Sequence, residues 1–225
     1  MKKRMKSLTA AVLISSLLMG APLAQEASAA PYSTTLYQGM TSNEVTQLQT
    51  DLQTLGYFTY GSYTNYFGSV TATAVKDFQT AYGLGADGIV GSKTGTEIAH
   101  ALTKKTLMDD TYNYLNTPYL WGGSTPAGFD CSGFVYFMFN KHGVPMIRTT
   151  SAEYFKMGVP ISVDKLMPGD LVFFTLSTSG AVQHVGFYIG GGKFISAISS
   201  KGIYVQSFFD NSYWTPKYLG AKRVY

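Results

Sequence analysis

The sequence predicts an α+β protein in two parts: a small three-helix all-α domain, then a domain built around an antiparallel sheet. Three observations predict it. Apolar residues recur at helical spacing through residues 37–102, strand-like runs crowd together after residue 170, and no helix-length pattern separates the last of those runs. The third observation excludes a doubly wound parallel sheet, which needs crossover helices.

The amino terminus is set apart from both domains. Met1-Lys2-Lys3-Arg4-Met5-Lys6 carries four basic residues, an apolar run extends from Leu8 to Met19, and Ala27-Ser28-Ala29-Ala30-Pro31 follows. A charged head, a short apolar run and an A-x-A ending make a secretory signal peptide. At about 12 residues the run is well short of the ~20 that span a bilayer. Cleavage is expected after Ala29, because the next bond would leave Pro31 directly behind the cut. Residues 1–29 are thus read as signal, and no membrane anchor is expected after cleavage.

Removing the signal changes the charge. Of 17 Lys+Arg and 13 Asp+Glu, four basic and one acidic residue precede residue 30, so the formal +4 of the whole chain falls to +1. Nucleic acid is therefore not an expected partner. The chain has one cysteine, Cys131, so no intramolecular disulfide can form. With no cysteine near the cleavage site, no lipid anchor is expected there either.

In the first domain Val45, Leu48, Leu52 and Leu55 precede a stop at Gly56. Val70, Ala74, Val75 and Phe78 mark a second helix ending near Gly83, and a third runs from Lys93 through Ile98 to Leu102. Gly61–Asn65 and Gly85–Gly88 are turn-rich connections. Thr103-Lys104-Lys105-Thr106 reads as a short polar junction that restricts the relative orientation of the domains. Beyond it, Leu107–Leu115 and Ser132–Asn140 read as helices. The strand candidates are Leu171–Phe174, His184–Ile189, Lys193–Ala197, Ile203–Ser207 and Tyr218–Val224.

The chemistry centres on Cys131. It follows a glycine-rich loop (Gly122, Gly123, Gly128) and begins an apolar helix. A thiol in a first helical turn lies at the positive end of the dipole, which favours thiolate, and the unpaired N–H groups there can hold an oxyanion. Three histidines compete as base. His100 lies near a helix end, with a solvated or capping role expected, and His142 before Gly143 has a helix C-terminal position. His184 opens a strand, the rigid mounting a general base needs, on the face opposite Val185, Phe187 and Ile189. A Cys–His pair also begins a metal site, but zinc needs three or four ligands and no further cluster accompanies these two. No metal and no cofactor are expected.

Two resemblances add to this reading. Gly39…Val45-x-x-Leu48-Gln49-x-x-Leu52-x-x-Leu55-Gly56-Tyr57, Tyr66-Phe67-Gly68-x-x-Thr71-x-x-Ala74-Val75-x-x-Phe78-Gln79 and Gly83-Leu84…Asp87-Gly88-Ile89-Val90-Gly91-x-x-Thr94 resemble a three-helix peptidoglycan-binding domain. The resemblance implies wall targeting by residues 30–103, with Gln49 and Gln79 in buried hydrogen bonds and Tyr57, Tyr66 and Phe67 as contact candidates. Thr117-Pro118-Tyr119-x-Trp121-Gly122-Gly123, Gly128-Phe129-Asp130-Cys131-Ser132-Gly133-Phe134-Val135, Leu166-x-Pro168-Gly169-Asp170-Leu171 and His184-Val185-Gly186-Phe187-Tyr188-Ile189-Gly190 resemble the NlpC-type cell-wall cysteine peptidases.

That second resemblance covers most of residues 104–225. It implies a papain-like core and hydrolysis of peptidoglycan stem peptides, commonly at the γ-D-glutamyl–diamino acid bond. With the export signal and the wall-targeting domain, a secreted, wall-associated protein is expected, and a monomer. Cys131 is then the nucleophile and His184 the base. Tyr119 stands beside the nucleophile, and Asp130 helps receive the free amine of a stem. The third position, often His in such enzymes, is Ser196, which would orient His184 less firmly. Arg148 is a candidate partner for a stem carboxylate, the alternative being a solvated or structural loop arginine. Two other functions stay open: a Cys–His amidase cutting between muramic acid and L-alanine, and a wall-binding protein without catalysis.

Overall fold

The computed structural model describes residues 31–225, so the signal expected over residues 1–29 lies outside the described residues. The first unit contains α1 (Asn43–Thr54), α2 (Ser69–Ala81) and the first half of α3 (Ser92–Thr111). Leu48, Leu52, Val75, Phe78 and Ile98, the periodic positions of the sequence, are fully buried in one cluster. Two amides fasten the connections to it. Gln49 Nε2 donates to the Tyr66 carbonyl (3.1 Å) and Thr71 Oγ1 (2.9 Å), and its Oε1 accepts from Thr64 N–H (2.7 Å). Gln79 repeats the device on the next loop, donating to Asp87, Ile89 and Thr94 while accepting from Gly88 N–H. Of the contact candidates, Phe67 is fully buried in the core, Tyr57 packs edge-on against Phe78 at 5.3 Å, and Tyr66 is exposed.

One expectation fails at the junction. Residues 103–106 are not a linker but the middle of α3, which runs unbroken through them. Their polarity suggested a boundary, but Thr-Lys-Lys-Thr contains neither Gly nor Pro, and polar residues do not stop a helix. Lys104 is buried there. Its Nζ donates to the Tyr225 carbonyl (2.8 Å) and lies 5.9 Å from the centre of the Tyr82 ring. One turn earlier His100 faces Tyr225, ring centres 4.1 Å apart, in a half-buried contact and not at a helix end. The second half of α3 gives Leu107 and Met108 to the core of the second unit, so one rigid rod belongs to both.

The second unit continues with the hairpin β1 (Ser124–Thr125) and β2 (Gly128–Phe129), then α4 (Cys131–Lys141) and α5 (Ser151–Phe155). A six-stranded sheet follows: β3 (Val159–Ile161), β4 (Leu171–Phe174), β5 (His184–Gly190), β6 (Lys193–Ile198), β7 (Gly202–Ser207) and β8 (Tyr218–Arg223). The order is β3-β8-β4-β5-β6-β7, with every neighbour antiparallel. The five expected strands are all present. β3 escaped notice because Val159-Pro160-Ile161 is short and exposed, and its proline is tolerated only at a sheet edge.

Both faces of the sheet are covered. Leu171, Phe173, Val185, Phe187 and Ile195 pack against Phe134, Val135, Met138 and Phe139 of α4. Val172, Phe174, Tyr188 and Phe194 pack against Phe208 and Trp214 on the other side. This explains why Leu171-Val172-Phe173-Phe174 reads as a continuous apolar run instead of an alternation. The α4 face of the sheet therefore holds the helix, and the second face holds the aromatic pocket into which His184 turns.

Gln79→Leu tests the amide device. It strips partners from buried groups of the Gly85–Thr94 segment, so the first unit is expected to lose about 3 kcal/mol. Urea unfolding followed in that unit reads the loss; an unchanged midpoint contradicts it.

Candidate active site

Cys131 is the first residue of α4, placed there by its neighbour. Asp130 caps the helix, its Oδ1 accepting from Gly133 N–H at 2.6 Å and from Ser132 Oγ at 3.0 Å. Its Oδ2 accepts from Gly122 N–H (2.9 Å) and from Arg148 Nη2 (2.6 Å). Gly133 is required by close approach, since an added Cβ would collide with the Gly123 carbonyl oxygen. That oxygen also accepts from Asp130 N–H at 3.0 Å, locking the glycine-rich loop onto the start of α4.

His184 begins β5 on the face away from α4, as the alternation predicts. Its Nε2 lies 2.9 Å from Ser196 Oγ on β6. Trp214 stacks on the imidazole, ring centres 5.2 Å apart at 29°. The indole is itself held, its Nε1–H donating to Gln206 Oε1 at 2.7 Å. The next residue along β5, Val185, directs its N–H at the Cys131 sulfur. Cys131 and His184 thus meet in one cavity of about 620 Å³, whose walls also include Tyr119, Arg148, Gln206 and Trp214. With Nε2 occupied by Ser196, Nδ1 is the nitrogen free to exchange a proton with the thiol.

The electrostatics correct one expectation. Burial pushes the Cys131 thiol up to about 11, and the Asp130 charge adds to the rise; the N–H groups of Val185, Ser132 and Cys131 oppose it without prevailing. The helix start lowers the cost of a thiolate but does not generate one at rest. Burial also pulls His184 down to about 4. At neutral pH the pair rests as thiol and neutral imidazole. Tyr119 is raised as well, first by burial and then by the nearby Cys131 and Asp130.

The other candidates fall as follows. Asp130 uses all four acceptor positions within the chain, so an incoming amine reaches it only if Arg148 or Gly122 yields. Arg148 spends Nη1 on Ser132 Oγ and the Thr149 carbonyl, both at 2.8 Å, and one Nη2 hydrogen on Asp130. His142 is structural: its Nε2 lies 2.9 Å from Asp110 Oδ2, where Lys141 also pairs, tying the end of α4 to α3. Among the described residues no group of three metal-ligating side chains occurs. Sequence reasoning missed Trp214 and Gln206. The one signal for Trp214 was the aromatic richness of the Phe208–Trp214 loop, and Gln206 had none.

The depressed His184 value has a stability consequence. The unfolded chain takes up this proton below about pH 6.5, while the folded chain resists until about pH 4. Stability from this group is complete above pH 6.5, is lost as pH falls to 4, and levels off below. Wild type should lose about 3 kcal/mol more than His184→Gln between pH 7.5 and pH 4. Denaturant unfolding of both proteins reads the difference; parallel curves contradict the buried neutral imidazole.

Comparisons with known proteins match both units. Residues 116–223 match the NlpC/P60 family, and residues 41–97 match the "Putative peptidoglycan binding domain" family. The chain is similar to "Probable peptidoglycan endopeptidase LytE" of Bacillus subtilis, 44% identical over 55% of this chain and 35% of that one. It is 39% identical to "Probable endopeptidase NlpC" of Escherichia coli over 52% of this chain and 76% of that one. A "Gamma-D-glutamyl-L-lysine dipeptidyl-peptidase" of B. subtilis is 39% identical over 44% of this chain and 34% of that one. The chain therefore spans about a third of the length of both B. subtilis relatives. A solved NlpC/P60 family protein from Bacillus cereus superposes with a TM-score of 0.50 at 31% identity, covering 54% of this chain and 40% of that one. On its motifs, its α+β sheet and these matches together, the chain belongs to the NlpC/P60 family.

Proposed function

We propose that the chain is a secreted, cell-wall-associated peptidoglycan hydrolase, a cysteine endopeptidase that cuts stem peptides at the γ-D-glutamyl–diamino acid bond. The observation that carries this reading is the meeting of Cys131, at the first turn of α4, with the His184–Ser196 pair in one cavity. The γ-D-glutamyl bond is supported by the similarity to the γ-D-glutamyl-L-lysine dipeptidyl-peptidase of B. subtilis and by the Arg148 guanidinium lining the same cavity as Cys131. Its Nε–H and second Nη2–H have no partner among the described residues, leaving a fork for a glutamyl carboxylate.

The reaction is acyl transfer. His184 Nδ1 takes the thiol proton as Cys131 Sγ attacks the γ-carbonyl carbon, and Ser196 holds Nε2–H through its hydroxyl. The N–H groups of Cys131 and Ser132 receive the oxyanion, with the Tyr119 hydroxyl assisting. His184 then protonates the leaving amine, and water attacks the thioester. Because the pair rests neutral, charge separates only as the carbonyl begins to accept it. Trp214 keeps water from the imidazole and limits its rotation, offsetting the short reach of Ser196. The α-helical domain holds the enzyme on the wall and raises its local concentration there.

Digestion of purified walls with wild type and Cys131→Ala tests the reading. Wild type should release fragments with a new amine on the diamino acid, and the variant should release at least a thousandfold less. Mass spectrometry assigns the bond. A newly freed L-alanine amine marks an amidase instead, and equal wall clearing by both proteins marks a binding protein without catalysis.

A further inference from the structure

One hydrogen bond does not orient the base. His184 Nε2 lies 2.9 Å from Ser196 Oγ, a hydroxyl that turns about a single bond and can donate or accept. Ser196 thus holds one ring atom and leaves the plane of the imidazole open. That plane is set by what lies against the ring. Trp214 stacks on it, ring centres 5.2 Å apart at 29°, and Phe194 meets it edge-on at 6.3 Å and 76°.

The stacking partner is held in turn. Trp214 comes from the loop between β7 and β8, where its backbone N–H donates to Asn211 Oδ1 at 2.9 Å. Phe174 and Phe194 pack against the indole, centres 4.9 and 5.1 Å away, but neither ring offers an acceptor in its plane. The directional contact of the side chain is Nε1–H to Gln206 Oε1, at 2.7 Å. Gln206 stands opposite Phe194 in the β6–β7 register, on the strand beside Ser196. One amide oxygen therefore ties a loop residue to the sheet that carries the base.

The choice of an amide is informative. Its Nε2 is buried and has no hydrogen-bond partner among the described residues, which weakens the fold. An apolar side chain would remove that orphaned donor and release the indole. A carboxylate would hold the indole with no orphan, but would bring a charge close to the imidazole. Of the three, only the amide holds Trp214 and stays neutral.

We propose that Gln206 is a positioning residue: through Trp214 it fixes the plane of the His184 imidazole for proton exchange with Cys131. The inference rests on the acyl-transfer reading above, and not on which bond is cut. The test measures kcat and KM on L-Ala-γ-D-Glu-meso-diaminopimelate. Gln206→Met keeps length and burial but loses the amide oxygen, and should lower kcat about tenfold with KM unchanged, since a misplaced base slows proton transfer and not binding. Gln206→Glu keeps an oxygen for the indole and should restore most of that loss. In a Trp214→Phe background there is no indole N–H to hold, so Gln206→Met should have no further effect. An unchanged kcat in Gln206→Met, equal losses in Gln206→Met and Gln206→Glu, or the same loss with and without the indole overturns the proposal. Failure of wild type to cleave the peptide counts against the endopeptidase reading instead. The same variants are then compared by alkylation of Cys131 with iodoacetamide, which needs the Cys–His pair but no stem: Gln206→Met should react about tenfold more slowly than wild type, and equal rates overturn the proposal.

Discussion

The dehydration of His184 is the constraint on which the rest of the catalytic unit depends. An imidazole placed between Trp214, Phe174 and Phe194 loses its hydration and keeps one hydrogen bond, to Ser196. Supplying that pocket takes a loop that returns Trp214 to the sheet, a glutamine on β7 to hold the indole, and small residues at Gly186 and Ser196 where β5 and β6 approach closely. The sheet is consequently covered on both faces, one by α4 and one by aromatic residues. The same burial favours the neutral form of both partners, thiol and imidazole.

A second arrangement fixes the nucleophile. Asp130 joins the glycine-rich loop, the start of α4 and the Arg148 segment through four hydrogen bonds to its two oxygens. Such a charge-assisted network sets the position of the sulfur more narrowly than a helix cap alone. At the far end of α4, His142 and Lys141 meet Asp110 of α3. Because α3 also forms the third helix of the wall-binding-like unit, the cleft and that unit share one frame. Rotation about a flexible linker is replaced by a helix and by the buried Lys104 contact with Tyr225.

Much of this was legible in the sequence, for identifiable reasons. Helical spacing at Leu48, Leu52, Val75 and Phe78 and the late strand runs disclosed both units, because burial alone sets those patterns. That Cys131 and His184 would share one cavity was legible because few residue types suit a nucleophile and its base. Three features were not. The continuity of α3 was hidden by the polarity of Thr103–Thr106, whose Lys104 gains its buried place only from Tyr225, more than a hundred residues away. Trp214 lies in a loop with no periodic pattern and Gln206 in a predicted strand with nothing to single it out, and their link is a hydrogen bond between a loop and an edge strand. The resting charge state was misjudged because the helix dipole is a local property while dehydration is a property of the whole site, and dehydration prevails.

The neutral resting pair is tested most directly by the ultraviolet difference spectrum at 240 nm between wild type and Cys131→Ala as a function of pH. Cys131 is the only cysteine, so the thiolate signal has a single source. Burial predicts no thiolate band at pH 7 and its appearance only as the pH rises toward about 11. A thiolate band already present at pH 7 and lost near pH 4 would show an imidazolium–thiolate pair at rest, contradicting dehydration as the dominant force in the site.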